Sequence, residues 1–419
     1  MHNRICEPLP TAIYLSYLVH NPIKTPPAKP RPAIHRTLPR RAPAQTTAGV
    51  RPQTREQRFK LSADLVIAHT QPGFEGIAIR EALARFPGTR EVGRRSIADR
   101  NGMALLSAPR PEALAKMRCA ENLFSMAGYA RPLSAGDEGM EQARRVARQT
   151  PFVEAALQNR VRVTPGSRSG QRLGFRVVVR TVGSHEYRRV DLQRAIELGI
   201  SERGDRRWRL EENGEVEFWA TLLEDELFLA VRLSDDRMRQ RDYKVAHFPG
   251  SLRPSVAAAM AMLSQPGDDD VVLDPLCGGA TILVERAHLG RYKMLLGGDS
   301  NPEGLAAARE NVGPRYKPIE LRQWDATALP IPDGEVTRII TNLPWGRKFG
   351  SHHDNRRLYP KLIKEFRRVL APGGLMVLMT SESHLMREAL EHHEIALNSM
   401  LAVTILGASA WIYVCRVMH

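Results

Sequence analysis

Cysteine is scarce in this 419-residue chain: the four present, Cys6, Cys119, Cys277 and Cys415, are far apart and form no CxxC pair. That spacing argues against a zinc site or a disulfide framework and fits a reducing compartment. Long apolar runs are also missing. None reaches the roughly 18 residues that a membrane span requires. The longest early candidate, Thr11 to Val19, gives way to a proline-rich stretch, so a soluble, cytoplasmic protein without a bound metal is expected. There is no GxGxxG and no P-loop lysine, so no pyrophosphate cradle is indicated. Acids are nearly absent from residues 1–55, which hold nine Lys or Arg against Glu7 alone.

That arm is broken by Pro22, Pro26, Pro27, Pro30, Pro32, Pro39, Pro43 and Pro52 and has no apolar period, so residues 1–56 are expected to be disordered. An organelle presequence, an RNA-attracting tail and an overextended start site all fit it. The rest of the chain is rich enough in apolar residues, 42% overall, to build two or three domains. A net charge of +15 favours a polyanionic partner.

Folded sequence is expected from Ala63 to Ala68, a short strand, followed by a helical pattern over Ile77 to Phe86. A strand at Met103 to Leu106 and a helix at Pro111 to Met117 complete a small α/β or α+β unit. A second unit spans about 150–234. It has a strand at Phe175 to Arg180, a helix from Val190 to Leu198 capped by Gly199, and two strands, Val216 to Leu223 and Leu227 to Leu233. Basic residues interleave with aromatics here: Arg188 and Arg189 near Tyr187; Arg203, Arg206, Arg207 and Arg209 around Trp208; Arg237, Arg239, Arg241 and Lys244 around Tyr243. Any one cluster reads as a solvated face, but three in one unit favour phosphate contact and base stacking, hence RNA.

From about residue 251 strands and helices alternate. Strands at 271–273, 292–296, 319–323, 336–341 and 374–380 are separated by helices at 281–289 and 302–311, and a closing hairpin lies in 401–417. A mostly parallel sheet covered on both faces is expected. Its strand ends carry the chemistry. Asp274-Pro275-Leu276-Cys277-Gly278-Gly279-Ala280-Thr281 follows the first strand, and small residues there let a ligand approach the backbone. Gly297-Gly298-Asp299 ends the second, placing an acid that can accept both hydroxyls of a ribose. Gln323-Trp324-Asp325-Ala326 ends the third with a carboxylate suited to an adenine amino group. Any one acid also fits a helix cap. The fourth strand ends at Asn342-Leu343-Pro344-Trp345-Gly346, where an amide oxygen can accept from an exocyclic amino group and an indole can stack on a base.

These residues resemble the class I S-adenosylmethionine-dependent methyltransferases, and the Asn342 turn resembles the N/D-P-P-Y/F/W signature of enzymes that methylate amino nitrogens. Asp274-Pro275-x-Cys277-Gly278, the Asn-Leu-Pro-Trp-Gly variant and the approach from Arg241-Asp242-Tyr243-Lys244 to Pro249-Gly250-Ser251-Leu252-Arg253-Pro254 are similar to THUMP-domain RNA guanine-N2 methyltransferases. Most similar within that group are those acting on the acceptor stem of transfer RNA. The resemblance covers about 60–419 and implies a ferredoxin-like domain (57–125), a THUMP RNA-binding domain (126–234), a linker (235–253) and a Rossmann-like methyltransferase domain (254–419), acting as a monomer. It further implies that S-adenosyl-L-methionine is held by Ser251 to Pro254, Asp274, Cys277, Gly278, Gly279, Asp299, Asp325, Ala326 and Asn342. Asn342, Leu343, Pro344 and Trp345 would hold a flipped guanine, and Arg347 and Lys348 a nearby phosphate.

One departure stands out: the family's Gly-Ser-Gly is Gly278-Gly279-Ala280 here, and alanine fits only if its φ is negative or the backbone relaxes. His352 and His353 read as a surface pair in a polar loop, so no general base is indicated. The same turn also serves ribosomal RNA guanine, DNA adenine and protein glutamine, and a non-catalytic RNA-binding protein with a vestigial cofactor pocket shares the pattern.

Overall fold

The computed structural model describes residues 60–97, 101–167, 170–346, 351–405 and 407–417; the basic arm and the candidates Arg347 and Lys348 lie outside them. The first half runs β1 (Leu65–Thr70), α1 (Glu75–Arg85), β2 (Arg90–Ile97), β3 (Asn101–Ser107), a 3-10 turn (Pro111–Lys116) and β4 (Asn122–Ala130). It continues through α2 (Gly136–Gln149), α3 (Val153–Val163), β5 (Arg172–Val182), α4 (Arg189–Ser201), β6 (Arg207–Leu210), β7 (Val216–Leu223) and β8 (Glu226–Arg232).

All eight strands form one sheet in the order β2-β3-β1-β4-β8-β7-β5-β6. The join is the antiparallel pair β4–β8, with Phe124 opposite Arg232 and Ala130 opposite Leu227. The domain boundary expected at 125–126 therefore falls inside β4. The two parts are joined into one sheet there by the ladder's hydrogen bonds, which an apolar pattern alone does not reveal.

Gly199 does not cap its helix. It lies inside α4 because its missing side chain admits α2: a Cβ there would meet the Arg144 carbonyl oxygen at 2.3 Å and the Ala147 methyl at 2.9 Å.

The second half comprises α5 (Arg237–Gln240), α6 (Pro254–Leu263), β9 (Val271–Asp274), α7 (Thr281–Ala287), β10 (Met294–Asp299), α8 (Pro302–Val312), β11 (Ile319–Gln323) and β12 (Val336–Asn342). α9 (His352–Val369), β13 (Leu370–Thr380), α10 (Ser383–His392), β14 (Ala396–Ile405) and β15 (Ala408–Arg416) follow. The sheet order is β11-β10-β9-β12-β13-β15-β14, parallel except for the closing β14–β15 hairpin and its antiparallel seam with β13. Order reverses at β9, which pairs with β10 on one side and β12 on the other. In open sheets of this kind, ligands bind outside the carboxyl ends of the strands at that reversal.

β9 is buried throughout, as expected for a strand covered on both faces. α6 buries all ten of its residues because it packs against both α7 and α1, and its apolar surface runs all the way round. Glu121 ties the halves together, accepting from Ser255 Oγ at 2.9 Å and facing Arg253 Nη1 at 3.4 Å. His352 and His353 open α9 rather than lying in a loop: Ser351 Oγ and Asp354 cap its first turn reciprocally.

Candidate active site

The turn after β9 is built on left-handed backbone. Gly278 has φ +46°, and Ala280, fully buried at the start of α7, has φ +58°. The alanine thus keeps the conformation that glycine adopts without cost, and its Cβ is strained by about 1–2 kcal/mol. The turn holds because its neighbours over-determine it. Cys277 N donates to the Gly298 carbonyl at 2.8 Å, Gly278 N to Asp299 Oδ2 at 2.9 Å, and Ala280 N to the Cys277 carbonyl at 2.8 Å.

Asp299 also accepts from Asn301 N at 2.9 Å, joining the turn to the start of α8. Each of its oxygens keeps a second lone pair, which suits a diol. Asp274 is buried at the tip of β9. Burial raises its carboxyl to about 7, the Thr341 hydroxyl and the Leu276 amide pull it back, and Asp299 pushes it further up. The Cys277 thiol is raised well above its usual range, first by burial and then by Asp274 and Asp299.

Three residues given no role by the sequence shape this cradle. The Trp324 indole fills the space beside Gly298, where a Cβ would come within 1.8 Å of it, and its NH donates to the Pro275 carbonyl at 3.1 Å. The Gly297-Gly298 pair was the one available signal. Asn311, on α8 and 1% exposed, donates to the Gly279 carbonyl at 2.9 Å and the Ala246 carbonyl at 3.1 Å, and accepts from Ala246 N at 2.9 Å. It thereby seats the 245–252 strap on the turn. Phe248 of that strap packs beside Gly278 and Gly304.

Of the expected cofactor-binding residues Ser251 to Pro254, only Ser251 presents an open polar atom to the turn. Its Oγ lies 3.3 Å from where a Gly279 Cβ would be and has no hydrogen-bond partner, as is true of the buried Thr281 Oγ1 across the turn. Leu252 is in the core, Arg253 faces Glu121 and Pro254 begins α6. Asp325 is exposed, and Thr327 N and Oγ1 both donate to its Oδ1 at 2.8 Å, holding it below the usual carboxylate range; Ala326 is buried beside it. Two orphaned hydroxyls, a glycine cradle and strand-end acids together offer the donors and acceptors that an amino acid joined to a nucleoside needs.

The acceptor turn closes the site from β12. Leu343 N donates to the Met379 carbonyl at 2.9 Å and the Leu343 side chain is buried. The Pro344 carbonyl accepts from Asn355 Nδ2 at 3.0 Å and from the Tyr359 hydroxyl at 2.7 Å, so α9 fixes the turn. The Trp345 indole NH donates to Asn342 Oδ1 at 3.0 Å. Gly346, at φ +67°, lets Glu382 and the start of α9 approach. Glu382 Oε2 lies 2.8 Å from His352 Nδ1.

The basic clusters divide. Arg188, Arg189, Arg207, Arg209 and Arg239 are exposed. Arg188 caps α4 through Asp191 at 3.0 Å, and Arg209 faces Glu211 at 3.4 Å. Arg206 pairs with Glu154 and bonds the Gly170 carbonyl, with its side chain only 8% exposed. Arg241 is buried and donates to the Arg118 carbonyl at 2.7 Å, and Lys244 donates to the Leu252 carbonyl at 2.7 Å. Arg206 and Lys244 serve the protein's own framework, and Arg241 lies at the seam between the two halves. The expected base stacking also fails for Trp208 and Tyr243, whose rings are core: Trp208 meets Phe175 and Phe218 edge-on, and the Tyr243 hydroxyl donates to Glu285 at 2.8 Å. An aromatic between arginines anchors the segment to the interior, leaving only the arginines outside.

The reversed parallel sheet with strand-end acids and an amide turn defines a class I methyltransferase domain. Residues 241–408 match the family described as UPF0020, RMKL-like methyltransferase domain. Over 193 residues the chain is 31% identical to mouse (Mus musculus) tRNA (guanine(6)-N(2))-methyltransferase THUMP3, an alignment covering 42% of this chain and 38% of that protein. Over 330 residues it is 28% identical to the tRNA (guanine(6)-N2)-methyltransferase of Thermus thermophilus, covering 77% and 91%. The solved structure of TrmN from Thermus thermophilus superposes with a TM-score of 0.68 at 27% identity, over 84% of this chain and 99% of that one.

Proposed function

We propose that the protein transfers a methyl group from S-adenosyl-L-methionine to the exocyclic N2 of a guanosine in the acceptor stem of transfer RNA. The observation that carries this reading is the placement of the Asn342 turn on β12, next to the Asp274 turn on β9, at the reversal of strand order. The relatives' names support guanine N2 in RNA, and the Thermus relative aligns along most of both chains.

The cofactor would supply an electrophilic methyl group on sulfur. Ser251, Thr281 and the Gly278–Gly279 backbone would hold its amino-acid end, Asp299 its ribose, and Asp325 with Ala326 its base. The guanine N2 lone pair is delocalised into the ring, so the amino group must pyramidalise to attack. Asn342 Oδ1, accepting from an amino hydrogen, stabilises the nitrogen as it becomes cationic, which favours the transition state over the planar ground state. Rigid support of the turn by Asn355 and Tyr359 would hold that acceptor still, so that the attacking nitrogen keeps one orientation. The surplus proton leaves to solvent after transfer. The eight-stranded first half, with its exposed Arg188, Arg189, Arg207 and Arg209, would hold the RNA through its phosphates.

Incubation with labelled cofactor and total transfer RNA, followed by nucleoside mass spectrometry, tests the reading. Labelled N2-methylguanosine is the expected product; label on another base or atom, or none, would overturn it.

A further inference from the structure

A cavity of about 370 Å³ opens at the seam between the two halves, lined by Arg118, Arg241, His288, Arg315 and Tyr316 among others. It is not part of the site above. His288 follows the last turn of α7, and Arg315 and Tyr316 lie between α8 and β11, at the opposite ends of the strands from Asp274 and Asn342.

The charge at its floor does not balance. Glu285, fully buried, accepts from Arg118 Nε at 2.7 Å, Arg118 Nη2 at 2.9 Å and the Tyr243 hydroxyl at 2.8 Å. Arg241 Nε is left 3.5 Å from the same carboxylate, with no hydrogen-bond partner, on a side chain 5% exposed. The other buried carboxylate nearby, Glu81, is engaged by Arg85 and by the Arg118 and Cys119 amides. Three guanidiniums thus face two carboxylates, and a buried charge without full compensation is costly unless an anion completes it.

The rim continues the pattern. Arg315 is exposed and lies over the Tyr316 ring at 5.9 Å, while Asp235 is matched by Arg237 at 2.6 Å, leaving Asp242 as the opposing rim charge. The Tyr316 hydroxyl lies 3.1 Å from His288 Nε2. Burial, with Arg118 and Arg241, lowers His288 to about 4, so it is neutral and offers a polar ring without adding charge.

We propose that this seam cavity binds a phosphate group, with Arg241 at its floor and Arg315 at its mouth. A guanidinium fork matches phosphate oxygens, and the aromatic edge beside it suits a nucleotide. The phosphate comes either from an RNA strand crossing the seam or from a free phosphate-bearing small molecule.

Two titrations of the full chain, both without cofactor, decide this. In the first, inorganic phosphate is added at constant ionic strength while the His288 ring resonance, assigned by its loss in His288→Gln, is followed by NMR. A saturable shift in the wild type, weakened about tenfold in the exposed variant Arg315→Glu, is expected. No shift, or an equal one in the variant, overturns the proposal. In the second, transfer RNA affinity is measured against salt. A slope reduced by about one in Arg315→Glu assigns the phosphate to the strand, and an unchanged slope assigns it to a small molecule. Neither measurement involves methyl transfer, so failure here leaves the methylation reading standing, and failure of that reading leaves this one.

Discussion

The indole NH of Trp345 donates to Asn342 Oδ1 at 3.0 Å, so the aromatic of the acceptor turn orients the amide of the same turn. A carbonyl oxygen has two lone pairs, and one remains open for the amino hydrogen that the proposed reaction requires. Trp345→Phe keeps a stacking face and removes the donor. Its kcat should fall about tenfold with RNA affinity unchanged, whereas Asn342→Ala should lose about 10²–10³ in kcat. Equal losses in RNA binding, measured by filter retention, would make the turn merely structural.

Ala280 at φ +58° stores strain that glycine would release. Relief of about 1–2 kcal/mol, offset by the extra chain entropy of glycine, leaves Ala280→Gly more stable by about 1 kcal/mol. Calorimetry should show a higher melting temperature together with tighter cofactor binding. A lower melting temperature would mean that the alanine methyl contributes more by packing than its backbone costs.

Asp274 is raised by burial to about 7 in the folded protein, against about 4 for an unfolded aspartate. Between those values the folded state binds the extra proton, so this group's contribution falls as pH rises from about 4 to 7 and is level outside that window. Asp274→Asn should flatten that part of the stability profile, and at pH 8 the variant should be the more stable protein in urea. An unchanged profile would show that the carboxyl is already ionised when buried.

Asn311 joins strap and glycine turn by three hydrogen bonds. Asn311→Ala leaves buried backbone groups unpaired, costing about 1–3 kcal/mol. Its KM for the cofactor should rise about tenfold, with kcat and RNA affinity nearly unchanged. A fall in kcat at saturating cofactor would place Asn311 in another role.

Arg206 and Arg207 are neighbours with opposite fates. Arg207→Glu with Arg209→Glu, on the exposed edge strand β6, should weaken RNA binding and lower its salt slope by about two. Arg206→Glu breaks the pair with Glu154 and should chiefly lower the melting temperature.

Asp274 was legible because a parallel strand buried on both faces reads as an apolar run that stops at a polar residue, as Val271-Val272-Leu273-Asp274 does, and Asp299 and Asp325 were legible by their order on the strands that follow. Asn342 was legible for the same reason. Asn311, Trp324 and Tyr359 were not, since each acts by reaching a backbone carbonyl far along the chain, a relation that leaves no spacing behind. The arginine clusters were legible as charge, but their division between surface and framework depends on which side of the backbone each faces. Strand β2, Arg90–Ile97, went unread because its charged, half-exposed edge lacks a clear alternation.

The pairing of β4 with β8 ties residues 122–130 to residues 226–232, closing about a hundred residues of chain between two neighbouring strands. A fragment ending at 125 would stop mid-strand, and one beginning at 126 would expose a raw ladder edge, a template for aggregation. The first half should therefore melt in a single cooperative step, and exchange of either of its parts between proteins would have to carry the other along.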